Sequence, residues 1–371
     1  PACGSGAFPM GVLHKLSYLL GRLDENNIVW RELQKRKAQI EIDKALNEND
    51  KKEREKKLLD INESFEDNAS DYGRKLYLIE NCIYGVDLQP IAVQISKLRF
   101  FISLVVDQKE KPASSNRGIR PLPNLETKFV SANTLIGLEK PAQLSMGYHL
   151  IEPLQDELQR VRHRHFETKN RRDKLKCQKE DKEIRKKIAE LLKSLGFGYN
   201  DADKIARFDI YDQNSSSDWF EPEWMFGRDL KMGFDVVIGN PPYIFTRDAD
   251  FSNEFKGYIA SKFFSLLSNK DKKTKANQSG KINLFALFIL RGLFETQPGG
   301  TLTYIVPNNL LRTTTYDLVR KYLLENAKIE ELVDLGSGVF DNVTASTIIF
   351  RVSKNKNDAI HKIKIITDIK D

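Results

Sequence analysis

The sequence predicts an α/β fold, a mostly parallel sheet with helices on both faces. Short apolar runs that stop at a polar or turn residue alternate along the chain with longer apolar segments at helical spacing. Such alternation lets each strand run parallel to its neighbour, because the helix between them carries the chain back. A further observation concerns position: the residues suited to chemistry fall just past the ends of these runs, where sheets of this kind bind ligands.

Pro1 to Phe8 reads as a glycine turn, and Val12 to Leu23 as the helix it opens. Residues 30–67 are dominated by Lys, Glu, Asp and Asn, which predicts an exposed helical excursion, an insertion spanning about 24–75. Asn81 to Val86 reads as a buried strand ending at Asp87. Pro90 then starts a helix through Ile91, Ala92, Ile95, Leu98 and Ile102, since proline suits a first helical turn. A proline- and serine-rich loop at 111–123 leads to a strand, Phe129 to Ala132, that ends at Asn133.

Ile151 to Leu195 is helical and highly charged, with a basic block from Arg160 to Lys176. We expect a pair of antiparallel helices projecting from the core, a second insertion at about 150–196. Such a face either tracks a phosphate backbone or is only solvated. Phe234 to Ile238 is the clearest buried strand and runs into Gly239-Asn240-Pro241-Pro242-Tyr243. A polar loop near 268–281, a helix from Leu284 to Phe294 and a Gly299-Gly300 turn precede the strand Leu302 to Val306. A helix at 316–326 and strands near Ile329–Asp334 and Ser346–Val352 complete the pattern.

Composition narrows the partners. At 371 residues and 40% hydrophobic the chain can bury a large core, and no apolar run approaches the roughly 20 residues that span a bilayer. With no basic, apolar leader, secretion and membrane insertion are not expected. A net charge of +7 favours a polyanion, weakly. Cys3, Cys82 and Cys177 are odd in number and far apart, which fits a reducing cytoplasm better than a disulfide framework. His163 and His165 have no cysteine or carboxylate partner at ligand spacing, so no metal site is expected.

Three elements carry the chemistry. Gly4-Ser5-Gly6 lets the backbone reach positive φ and a ligand approach closely, although an ordinary strand–helix turn has the same pattern. Asp87 at a strand end suits the hydroxyls of a ribose, or a helix cap. Asn240-Pro241-Pro242-Tyr243 is more specific. Consecutive prolines stiffen the turn, leaving the Asn240 side-chain oxygen and the Pro241 carbonyl as two acceptors beside the flat face of Tyr243. Two acceptors and an aromatic wall make a receptor for a planar NH2 group.

In this order the motifs resemble the gamma-class amino-methyltransferases, most closely those of type IIG restriction–modification and related phage-defence systems. Residues 1–8 look like the family's cofactor loop, Gly85 to Pro90 like its ribose and adenine contact, Ser131 to Leu135 like its third motif and Asn240 to Tyr243 like its catalytic motif. Gly338-Val339-Phe340 matches the segment whose aromatic ring faces the target base. The resemblance implies a Rossmann-like class I methyltransferase sheet with an antiparallel last strand, carrying charged helical insertions.

It also implies site-specific transfer of a methyl group from S-adenosylmethionine to adenine N6. The partner is then double-stranded DNA with a flipped adenine, because a base inside a duplex cannot reach the pocket. The cofactor residues implied are Ala2, Cys3, Gly4, Gly6, Phe8, Asp87, Leu88, Asn133, Thr134 and Asn240, with Tyr243 and Phe340 stacking on the base.

Departures accompany the matches. The family places a strand with an acidic or polar residue, and a helical motif, before the cofactor loop, and a target-recognition domain after the catalytic domain. This sequence starts at Pro1. We therefore expect residues 1–371 to be a catalytic-domain fragment truncated at its N-terminal strand, with weak or no cofactor binding, and with recognition and any fused nuclease domain elsewhere in the parent. Asn133 stands where many relatives carry Asp, which weakens its role. Other readings remain: a protein glutamine N5-methyltransferase, whose substrate amide offers a similar NH2; methylation of adenine in ribosomal RNA or of cytosine N4 in DNA; and a non-catalytic DNA-binding module of the same fold.

Overall fold

The computed structural model describes residues 1–36 (except 26, 31 and 34), 71–139 (except 109, 111, 114 and 120–122), 146–246 (except 169), 253–267, 282–340, 345–355 and 361–367. Helix α1 (Ala7–Leu23) is followed by α2 (Asp71–Asn81), strand β1 (Gly85–Asp87), α3 (Pro90–Val106) and β2 (Phe129–Ser131). Next come α4 (Glu152–Glu167), α5 (Arg171–Ser194), α6 (Tyr199–Arg207) and β3 (Phe234–Gly239). The last part comprises α7 (Asn253–Leu267), α8 (Leu284–Glu295), β4 (Thr296–Pro307), α9 (Asp317–Asn326), β5 (Lys328–Gly336), β6 (Thr347–Ser353) and β7 (Lys364–Ile366).

β1 and β2 pair in parallel, and a separate five-stranded sheet has the order β3-β4-β6-β5-β7. The β3–β4 and β5–β7 pairs are parallel, whereas β6 runs antiparallel to both β4 and β5. The expected antiparallel strand is therefore β6, wedged inside the sheet, and among the described residues β7 rather than β6 is the last strand. The opening residues lie between the two sheets. Cys3 N–H donates to the Val86 carbonyl of β1 at 3.0 Å, and a side chain on Gly239 of β3 would meet the Pro1 carbonyl at 3.1 Å.

Alternate residues of β2 point to opposite faces. Phe129 joins Leu13, Leu78, Phe100 and Leu104 from α1, α2 and α3. Val130, with Val86, joins Leu158, Ile184, Ile188 and Ile205 from α4, α5 and α6. The α4–α5 pair thus packs onto the strands and does not project from them. A buried ion cluster reinforces this layer: Asp181 accepts from both Arg162 and Arg185, whose other N–H groups donate to the Trp224, Met225 and Ala206 carbonyls. Burial alone would raise the Asp181 carboxyl, but the two guanidiniums outweigh it and hold the acid below its ordinary range. The third apolar cluster joins α7, α8 and α9 to β3, β4 and β6.

Two local readings shift. The strand expected from Asn81 starts only at Gly85, because Leu78 and Ile79 are buried by α2, which runs on to Asn81. In α3 the buried face is Ala92, Val93, Ser96, Phe100 and Leu104. Of the positions read as its apolar stripe, Ile91, Ile95, Leu98 and Ile102 are exposed, since the helix is apolar on both sides and spacing alone does not say which face is covered. Most of the charged stretch at 24–75 and the whole of the polar loop at 268–281 lie outside the described residues. No helix among the described residues is long and apolar enough to cross a membrane.

Candidate active site

The glycine turn is built as its composition requires. Ala2, Gly4 and Gly6 have φ of 49°, 55° and 86°. At Gly6 space is equally decisive, since a β-carbon there would lie 2.8 Å from the Ser96 hydroxyl oxygen. Ser96, buried in α3, donates from that hydroxyl to the Gly4 carbonyl at 2.9 Å. Gly4 N–H in turn donates to one oxygen of Asp87 at 2.8 Å, and Gln89 N–H to the other at 2.9 Å. The carboxylate is thereby oriented by two backbone donors, and each oxygen keeps acceptor capacity for a ligand. Leu88, next to it, is exposed. Burial pushes the Cys3 thiol up to about 11, so it stays protonated and serves as packing.

Asn240 to Tyr243 leave β3 beside this turn. The Asn240 side-chain oxygen is shielded from solvent and has no hydrogen-bond partner among the described residues. A buried acceptor left unpaired is costly and calls for an explanation, such as a donor brought by a ligand. Tyr243 donates from its hydroxyl to the Ile305 carbonyl of β4 at 3.0 Å. Burial raises this phenol to about 12, so it remains a neutral donor. Its ring meets Phe285 edge-on, with centroids 6.4 Å apart, and Phe340 at 6.5 Å and 69°. Beyond the turn, Leu284 N–H donates to the Ile244 carbonyl and Thr246 N–H to the Ile282 carbonyl, pinning the far end to the start of α8. Ala2 packs on the same apolar cluster as Tyr243, joining the glycine turn to the proline turn.

The structure thus brings Ala2, Cys3, Gly4, Gly6, Asp87 and Leu88 together with Asn240, Pro241, Pro242, Tyr243 and Phe340 around one rim. Phe8 is half-buried in the first turn of α1. Asn133 is less available than expected: its side-chain oxygen accepts from Leu135 N–H at 3.1 Å, inside its own turn, and Thr134 is buried. His163 also differs from expectation. Its Nδ1 lies 3.0 Å from Glu80, and Glu80, His163 and Glu167 offer ligand atoms within 4.8 Å of one another; Glu167 stands one helical turn on from His163, at a spacing the sequence shows, whereas Glu80 comes from another helix.

Three roles escaped the sequence reading. Ser96 holds the glycine turn, and a small polar residue on the buried face of an apolar helix was the available signal. Gly85 gives clearance, since a β-carbon there would meet the Phe129 ring at 2.4 Å. Asn309, just past β4, carries a second shielded side-chain oxygen with no partner among the described residues.

Residues 81–340, well over half of the chain, match the Eco57I restriction-modification methylase family. The chain is similar to the type II methyltransferase M.AccI of Acinetobacter calcoaceticus, 27% identical over 136 residues that cover 36% of this chain and 23% of that protein. It is also similar to the type II restriction enzyme and methyltransferase RM.Eco57I of Escherichia coli, 29% identical over 126 residues, 34% of this chain and 12% of that protein. Among solved structures it resembles a nuclease-deletion mutant of the Type ISP restriction-modification enzyme LlaGI in complex with a DNA substrate mimic. That likeness has a TM-score of 0.49 and 11% identity, over 99% of this chain and 21% of the other. The matched segments span about a quarter or less of these curated relatives.

Proposed function

The chain belongs to the Eco57I restriction-modification methylase family, and on that premise we propose that it transfers a methyl group from S-adenosylmethionine to the exocyclic amine of an adenine in DNA. The observation that carries this reading is the shielded oxygen of Asn240, which has no partner among the described residues, next to a glycine turn locked onto Asp87.

The residues present fit the cofactor. Gly4 faces open space that allows a close approach, Asp87 keeps lone pairs for ribose hydroxyls, and Leu88 offers an exposed apolar surface beside them. When bound, the cofactor supplies an activated methyl group on a positively charged sulfur.

The chain's own residues act on the amine. Adenine's amino nitrogen is a poor nucleophile because its lone pair is delocalised into the ring. Asn240 Oδ1 and the Pro241 carbonyl accept the two amino hydrogens, drawing the nitrogen toward a tetrahedral shape and localising that pair. The same two dipoles stabilise the positive charge that develops on the nitrogen, and they are already oriented by a turn that prolines stiffen. Tyr243, held by its bond to Ile305, supplies a fixed face for the ring, and Phe340 the second. The two rings now stand edge to face, so a base entering between them rotates Phe340. Because alignment supplies much of the remaining rate, no strong general base is needed.

The test is methyl transfer by the full-length protein with labelled cofactor on adenine-containing duplex, with a glutamine-bearing release factor as the alternative acceptor. Asn240→Ala is expected to lower kcat at least about 10²-fold, the scale of one lost preorganised dipole, with cofactor affinity retained within a few fold. Undiminished DNA methylation by that variant, or label entering only the protein acceptor, would refute the reading.

A further inference from the structure

We propose that the outward face of α5 is a docking surface for the phosphate backbone of duplex DNA, separate from the rim that carries Asn240; this rests on the reading that the protein acts on DNA. Arg172, Lys176, Lys179, Lys182, Lys186 and Lys187 are all exposed and recur at spacings of three and four, with Lys187 adjoining the last. The opposite face is fixed by burial of Cys177, Asp181, Ile184, Arg185, Ile188 and Leu192, so the basic stripe points away from the core.

The charges on this face are not balanced. Lys176 and Lys179 lie 4.0 Å from Glu180 and Glu183, at the limit of an ion pair. Arg172, Lys182, Lys186 and Lys187 form no ion pair among the described residues. Asp173, Glu183 and Glu190 are the exposed acids of α5, which against the six cations still leaves a cationic excess. Like charges one helical turn apart, as at 182 and 186, destabilise a helix unless something screens them.

Length and chemistry select the occupant. The fifteen residue steps from Arg172 to Lys187 cover about 22 Å at the helical rise. Over that distance one DNA strand presents roughly six phosphates, one per about 3.4 Å of axis. A protein partner would need apolar or aromatic anchors at the centre of its interface, and Leu175 is the one large exposed apolar residue along α5. A row of cations without anchors fits a regular polyanion.

The experiment uses the full-length protein and its R172Q/K182Q/K186Q/K187Q variant, matched by circular dichroism and melting temperature. Binding is measured to an adenine-free duplex of dG and dC, so that no methyl acceptor of the proposed kind is involved. We expect the variant to bind at least tenfold more weakly at 0.1 M salt. Its dependence of log K on log salt should be shallower by about 2–4, each lost phosphate contact removing roughly 0.9. With an adenine substrate at saturation, kcat should be unchanged. Equal affinity and equal salt slope for the two proteins would overturn the proposal, as would retained duplex binding with lost binding to poly-glutamate, which assigns the face to an acidic protein. If the parent methylates no DNA yet the variant still loses duplex binding, the docking surface stands and the adenine reading fails.

Discussion

The backbone amide of Gly4 and the carboxylate of Asp87, 83 residues apart in sequence, are joined by a 2.8 Å hydrogen bond. The glycine turn and the acid therefore form one unit, and a change at Asp87 alters the turn as well as the contact with ligand. Asp87→Asn is the informative substitution. It replaces one acceptor oxygen by an NH2 group that faces a backbone N–H, so one donor is left without a partner. We expect cofactor affinity to fall at least tenfold in Asp87→Asn, and no less than in Asp87→Ala, with about 1–3 kcal/mol lost from stability. Calorimetric titration together with urea unfolding checks both; an Asn variant that binds like the parent contradicts the linkage.

Tyr243 separates two roles. Tyr243→Phe keeps the ring and removes the bond to Ile305, so kcat should fall by less than tenfold. Tyr243→Ala also removes the stacking face, worth roughly 1–3 kcal/mol, and should lower kcat/KM for DNA by about 5- to 150-fold. Steady-state kinetics at saturating cofactor distinguishes them. Equal losses in the two variants would mean that the hydroxyl, not the ring, is what matters.

Lys128 predicts a pH dependence of stability. Its ammonium sits over the Tyr84 ring, 4.7 Å from the centroid. Burial lowers its pKa to about 8, against the opposing pull of Glu80, Cys82 and Asp229. An unfolded chain holds the same proton to about pH 10.4. Folding therefore expels a proton between those values, and stability from this group rises with pH through that window and is lost again as pH falls toward 8. Lys128→Met, which keeps the apolar stem, should be more stable than the parent at pH 7 by about 1–2 kcal/mol. The gain should vanish near pH 10.5. Urea unfolding of both proteins across that range decides it; a gain independent of pH would point to packing alone.

What the sequence made legible were the features that local chemistry dictates. Proline pairs, glycine turns and apolar runs act over a few residues, and so Asn240 to Tyr243, Gly4 to Gly6 and the strand ending at Asp87 could be placed before any coordinates. Features set by tertiary approach were not legible. Gly85 is required by the Phe129 ring on a strand more than 40 residues away, and His163 meets Glu80 from a different helix. The α3 stripe misled because both of its sides are apolar, and only packing decides which one is buried. Asp181 with its two arginines read as part of a solvated charge run, since nothing local separates a buried ion cluster from an exposed one.

The reversed direction of β6 has a mechanical meaning for the Tyr243 and Phe340 rings. Since β6 opposes β4 and β5, the hairpin bend between β5 and β6 emerges on the same side of the sheet as the end of β3. That bend carries Phe340. Tyr243 is thus held in the proline-stiffened corner after β3, whereas Phe340 follows β5 on a separate connection. On the function proposed above, such a division lets the gap between the rings adapt to differently shaped guests while the two acceptors of the corner stay put.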